Sequence, residues 1–198
     1  SGGTTQGTAC EVTFELTNTA TTQTSPAVSV EAAISDGSAT VVANIAEVAM
    51  VKRGSDLFGV SNGAKPLEVL VPALSAKGIG QSTPGSGEAN TITVTLTANY
   101  NLAVGSTVTI LGLTGSQTAD AGSLAVTSTG DDLGTTGDWT QTSGKLVLTA
   151  ASGGTTQGTA CEVTFELTNT ATTQTSPAVS VEAAISDGSA TVVANIAE

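Results

Sequence analysis

The chain has 198 residues, enough for one sizeable core, and its composition is lopsided: 36 Thr and 20 Ser against 11% charged and 3% aromatic residues. Seventeen acids against five bases leave a net charge of −12, which excludes the basic footprint that nucleic acid or an anionic membrane surface requires. A hydrophobic share of 39% excludes a disordered coil, and no apolar run is long enough to insert in a membrane as a helix.

The chain opens on SGGTTQGTACEVTFELTNTA, and those letters recur at 152–171; the identity covers all of residues 1–47 and 152–198 at an offset of 151. Identity that includes surface positions, which packing does not constrain, points to two origins. Either a segment was duplicated deliberately, or the parent is a tandem array of period 151 seen through a window slightly longer than one period. Cys10 and Cys161 are the same position of the repeated text, so neither a disulfide within one repeat nor a paired-cysteine metal or redox motif is available. A small buried thiol on a strand is the plain expectation, and a cross-link between repeats the alternative.

In the first copy Val12, Phe14, Leu16, Val28, Val30 and Ile34 fall on one face. The run SATVVANIAEVAMVK (38–52) fits strand and helix alike, with extended structure favoured. The turn-rich stretch 51–66 holds three of the five bases and reads as a linker. LEVLVPAL (67–74) is a weak strand. NTITVTLT (90–97) alternates strictly, with Ile92, Val94 and Leu96 on one face and threonines on the other, and STVTIL (106–111) puts Val108 and Ile110 inside. SLAVTST (123–129) and GKLVLTA (144–150) are weaker strands. ACEVTFELT (160–168) and AVSVEAAI (178–185) alternate clearly, and Gly, Asn, Asp and Pro punctuate the gaps. This spacing predicts an all-β, antiparallel, immunoglobulin-like β-sandwich: one near-complete domain over 67–198, and in residues 1–50 the back half of a preceding repeat.

The phrasing of NTITVTLTANYNLAVGSTVTILGLTGSQT (90–118), with LVLT, FELTN and QTSPAVSVEA (174–183), resembles Thr-rich immunoglobulin-like repeats of very large secreted surface proteins of microalgae and related protists, and more broadly the sandwiches of bacterial adhesins. The resemblance covers about 90–185 and implies an extracellular structural or adhesive role. It brings no site residues.

Catalytic chemistry finds no foothold. The chain has no histidine, which removes Ser–His and Cys–His pairs and His-ligated metals, and no glycine-rich phosphate motif is present. An enzyme is not expected, nor a cofactor. Asp120, Asp131, Asp132 and Asp138 read as solvated turn residues around a core Trp139, or as a Ca²⁺ site built from loop oxygens. The threonine ladder suits an ordinary solvent-facing strand, an ice-binding face or a glycan platform. TTQTSP and QSTPGSG resemble O-glycosylation contexts.

Two strands with one uncovered apolar face are marginal in water, so the first copy needs covering strands from elsewhere. The expected assembly interface sets Val12, Phe14, Leu16, Val28 and Val30 against the equivalents of Ile92, Val94, Leu96, Val108 and Ile110. The expected partner is therefore the same text in a neighbouring repeat or chain, within an extracellular filament or array. The rival expectation is an adhesin or carbohydrate-binding module with its ligand at 119–140.

Overall fold

The computed structural model describes residues 7–189 and 191–196, Asp131 by its backbone alone. Among them lie eleven strands, one 3₁₀ turn and no α-helix. The chain is all-β and every pairing between strands is antiparallel.

A two-stranded hairpin comes first: β1 (Ser29–Ser35) and β2 (Val41–Ala49). The remaining strands are β3 (Leu74–Gln81), β4 (Ala89–Ala98), β5 (Thr107–Leu111), β6 (Ala121–Ser128), β7 (Thr136–Thr140), β8 (Lys145–Thr149), β9 (Ala160–Thr168), β10 (Ser180–Ser186) and β11 (Val192–Ile196). They form one ribbon in the order β11-β10-β5-β8-β7-β6-β9-β4-β3. The ribbon folds over at β6: Val126–Ser128 pair with β9, while the first half of the strand pairs with β7. A register shift between Ala121 and Leu124 lets one strand serve both layers.

Period-two alternation decides what goes inside. Ile92, Val94, Leu96 and Ala98 of β4 meet Cys161, Val163, Phe165 and Leu167 of β9 in one layer; Val108, Ile110, Leu146, Leu148, Val181 and Ile185 come from the other. Trp139 of β7 is fully buried and its indole N–H donates to the Thr118 carbonyl at 3.0 Å. Ser106 pins β10 to β5, its buried hydroxyl accepting the Ser186 N–H at 2.9 Å.

Two expectations change. The strand expected at 67–74 is a single bridge of Val69 to Gln23, and the strand itself is β3, which buries only Leu74. TGDWT, read as part of a turn, is β7, where Gly137 lets the backbone lie against Leu146 and Leu148: a Cβ there would sit 2.6 Å from Leu146 Cδ1. Residues 51–66, expected as a linker, lie between β2 and β3 and contain no strand. They fold on themselves through Leu57 and Val60, the Asn101 N–H donates to the Phe58 carbonyl at 2.8 Å, and the Phe58 ring stacks on Tyr100 at 6.1 Å between centroids.

Candidate assembly site

Identical text stands in two environments. In the second copy, β9 lies between β4 and β6, with Phe165 opposite both Ile92 and Val126 and Val163 opposite both Val94 and Ser128. Val163, Phe165 and Leu167 are 0%, 3% and 5% exposed; their counterparts Val12, Phe14 and Leu16 are 75%, 75% and 63% exposed. Residues 9–17 form no strand, because β4 and β6 are already filled by β9 and offer no free edge. Transferring those three side chains from water into a core is worth about 1.5–3 kcal/mol each.

The hairpins behave differently. β1–β2 pairs Ala32 with Ile45, Ala33 with Asn44, Ile34 with Ala43 and Ser35 with Val41; β10–β11 repeats each pair 151 residues later, bulge included. A short connection closes both hairpins, with Asp36 and Asp187 accepting the N–H of Ser38 and Ser189 at 2.8 and 2.7 Å. Local pairing therefore survives without a core, but its apolar face does not find one. Val30, Ile34 and Ile45 are exposed where Val181, Ile185 and Ile196 are buried. Val28 is half-buried.

Of the expected interface, the second half is thus already occupied within the chain. Ile92, Val94, Leu96, Val108 and Ile110 are all buried, the β4 residues beside β9 and the β5 residues beside β10. The first half, Val12, Phe14, Leu16 and Val30, stands open.

A second contact was not foreseen. Residues 22–26 of the first copy clasp residues 66–71. Gln23 N–H donates to the Val69 carbonyl and Val69 N–H donates back, both at 2.8 Å. The Gln23 side-chain amide donates to Leu67 O at 3.0 Å, Ser25 N–H to the Glu68 carboxylate at 2.8 Å, and the Ser25 hydroxyl to Pro66 O at 2.6 Å. The Lys52 ammonium donates to the carbonyls of Ser25 (2.9 Å) and Pro26 (3.1 Å). The TTQTSP text carrying the clasp suggests only a glycan context, since each of these bonds has a main-chain group on at least one side, and such groups leave no residue signature.

Among the described side chains, the candidate calcium ligands Asp120, Asp132 and Asp138 do not converge. Asp120 and Asp132 stand beyond opposite ends of β6, roughly 25 Å of strand apart, and Asp120 accepts the Gln141 N–H at 2.7 Å. Asp132 follows the 3₁₀ turn Thr129–Asp131, Asp138 is exposed on β7, and the Asp131 side chain lies outside the described residues. No group of three or more His, Cys, Asp or Glu suited to a metal ion occurs among the described residues.

The two cysteines report the two environments. Cys10 is exposed and Cys161 buried, and no disulfide joins them. Burial pushes the Cys161 thiol above its ordinary value; the Asp132 carboxylate acts in the same direction, against a main-chain hydrogen bond from Thr129. A raised thiol value means less thiolate at a given pH, and the thiolate is the nucleophile. Under native conditions a maleimide should therefore modify one thiol quickly and the other at least ~10²-fold more slowly, limited by opening of the sandwich. Mass spectrometry of the time course, with digestion to assign the site, checks this; equal rates would contradict the burial of Cys161.

Together these features define an antiparallel β-sandwich carrying a second, uncovered copy of the sequence of its last three strands, of which only the hairpin is formed. Comparison with family models, with curated proteins and with solved structures finds no match to this chain.

Proposed function

We propose that the chain is a structural repeat of an extracellular filament or tandem surface array. Its units have the immunoglobulin-like sandwich organisation, and each unit's last three strands are set among the strands that precede them within the same 151-residue period. One observation carries this reading: residues 12, 14 and 16 are exposed while the identical residues 163, 165 and 167 form the core. A face written in core residues, at core spacing, is completed by the same strands that complete its duplicate. The abundance of Thr and Ser, the net charge of −12 and the segments TTQTSP and QSTPGSG that resemble O-glycosylation contexts suit a secreted surface layer.

The test adds the text of residues 48–151 ahead of residue 1, so that the first copy has strands to join. Cys10 should then become as protected from maleimide as Cys161, its modification slowing by ~10²-fold or more. A Cys10 that keeps its fast rate beside a folded second sandwich would remove the basis for the reading.

A further inference from the structure

We infer that residues 173–177 seat the 66–71 segment of the following repeat, so that successive sandwiches are held by a hydrogen-bonded joint of set geometry. The inference rests on the tandem reading above and names the surface that joins one unit to the next.

The first copy shows the joint made. Gln23 and Ser25 are half-buried under residues 66–69, with both main-chain groups of Gln23 and the N–H and hydroxyl of Ser25 bonded. In the second copy the same text, TTQTSPAV, is present at 172–179 without its cover. Gln174 and Ser176 are exposed, and among the described residues their main-chain N–H groups have no hydrogen-bond partner. The Gln174 side chain, lacking the Leu67 carbonyl that its counterpart finds, donates to Thr114 O at 3.0 Å. Residues 172–177 wall an open groove of about 320 Å³ shared with Gln81, Leu113 and Asn169, so the seat is accessible.

An independent contact points the same way. β2 pairs Val48 with Val30 and Ala49 with Ser29, and the Met50 N–H donates to Val28 O at 2.8 Å. The counterparts of Val30, Ser29 and Val28 are Val181, Ser180 and Val179. These three line a cleft of about 250 Å³ between the layers, facing Lys77, Ile79 and Val94. The described part of β11 ends at Ile196, which pairs with Ala183, two residues past Val181 on β10. Text continuing with the period, Val-Ala-Met and onward, would lengthen β11 across the cleft and then deliver the counterparts of Lys52 and Pro66–Val71 to Gln174 and Ser176. One continuation would thus reach both the seat and the cleft, over the same covalent path as in the first copy.

The experiment extends the chain after Glu198 with the text of residues 48–73 and compares amide hydrogen exchange with the original chain. The Gln23 amide serves as internal standard. Expected is at least ~10-fold slowing at Gln174 and Ser176 in the lengthened chain, bringing Gln174 near the Gln23 rate. Replacing the added counterpart of Glu68 by alanine should release Ser176 and leave Gln174 slow. Unchanged exchange at Gln174, with Gln23 still protected in the same molecule, would overturn the joint. Failure of the array reading shows elsewhere, in a Cys10 that stays reactive behind its added strands; a protected Cys10 with a fast Gln174 would keep the array and discard the joint.

Discussion

Phe165→Asp should unfold the sandwich, while Phe14→Asp, the same substitution in the same local text, should leave stability within about 0.5 kcal/mol of the parent chain. Phe165 is 3% exposed and sits across from Ile92 on β4 and Val126 on β6, the two strands that lock β9 into its layer. Removing a buried phenyl ring costs about 3–5 kcal/mol, and a carboxylate left in its place adds several more unless it takes up a proton. That approaches the whole of a typical domain stability, about 5–15 kcal/mol. Phe14 is 75% exposed and gives up almost nothing. Urea denaturation followed by the fluorescence of buried Trp139 measures both. A large loss from Phe14→Asp would show that residues 9–17 already pack somewhere in this chain. In the chain given the text of 48–151 ahead of residue 1, Phe14→Asp should become as damaging as Phe165→Asp.

The same contrast separates what was legible in the sequence from what was not. Strands β4, β5, β8, β9 and β10 were readable because each buries one face, and burial writes apolar residues at every second position. β3 runs LSAKGIGQ at the edge of the ribbon with only Leu74 buried, so nothing selects an alternating pattern there. The apolar letters just before it, 67–74, drew the expectation instead. β7 was hidden by Gly137, a residue chosen for close backbone approach to Leu146 and Leu148 and indistinguishable in text from a turn glycine. The contacts made by residues 51–66 were illegible for a related reason: they come from main-chain bonds and one ring stack, Phe58 on Tyr100, not from a run of apolar residues.

The candidate site divides along the same line. That Val12, Phe14 and Leu16 share a face was evident; that they find no partner within the chain depends on β4 and β6 being filled by strand β9, which is a matter of topology. Sequence separation explains which pieces of the first copy still form. The β1–β2 hairpin closes a short loop and reproduces the register of β10–β11 without a core. β9 pairs with strands far along the chain, a costlier closure that its duplicate has nothing to offset. An array built this way would have its hairpins formed early in each repeat, with the central strand inserted last.

Asn90→Leu should cost about 3–4 kcal/mol, the sum of several stranded polar groups less what water recovers. Asn90 is 1% exposed, and its carboxamide oxygen accepts from the N–H of Ser82 (3.1 Å) and Thr83 (3.2 Å) and from the Ser82 hydroxyl (3.3 Å). Its amide nitrogen donates to the side-chain oxygens of Gln81 at 3.0 Å and Asn169 at 2.8 Å. Asn169 in turn donates to the carbonyls of Thr83 and Gly85, so one buried side chain fixes the whole β3–β4 connection. Leucine matches the volume and satisfies none of these groups, whereas Asn90→Ala leaves room for water to reach some of them and should cost less, about 2 kcal/mol. The ordering is the informative part, because a purely apolar site would rank the two the other way. Pro84 and Ser86 of this connection also wall the groove beside residues 172–177. Amide exchange at Ser82 and Thr83 should therefore accelerate in both variants while β5 and β8 keep their protection. Should leucine be tolerated within ~1 kcal/mol and alanine be the worse of the two, packing and not hydrogen bonding would be what Asn90 supplies.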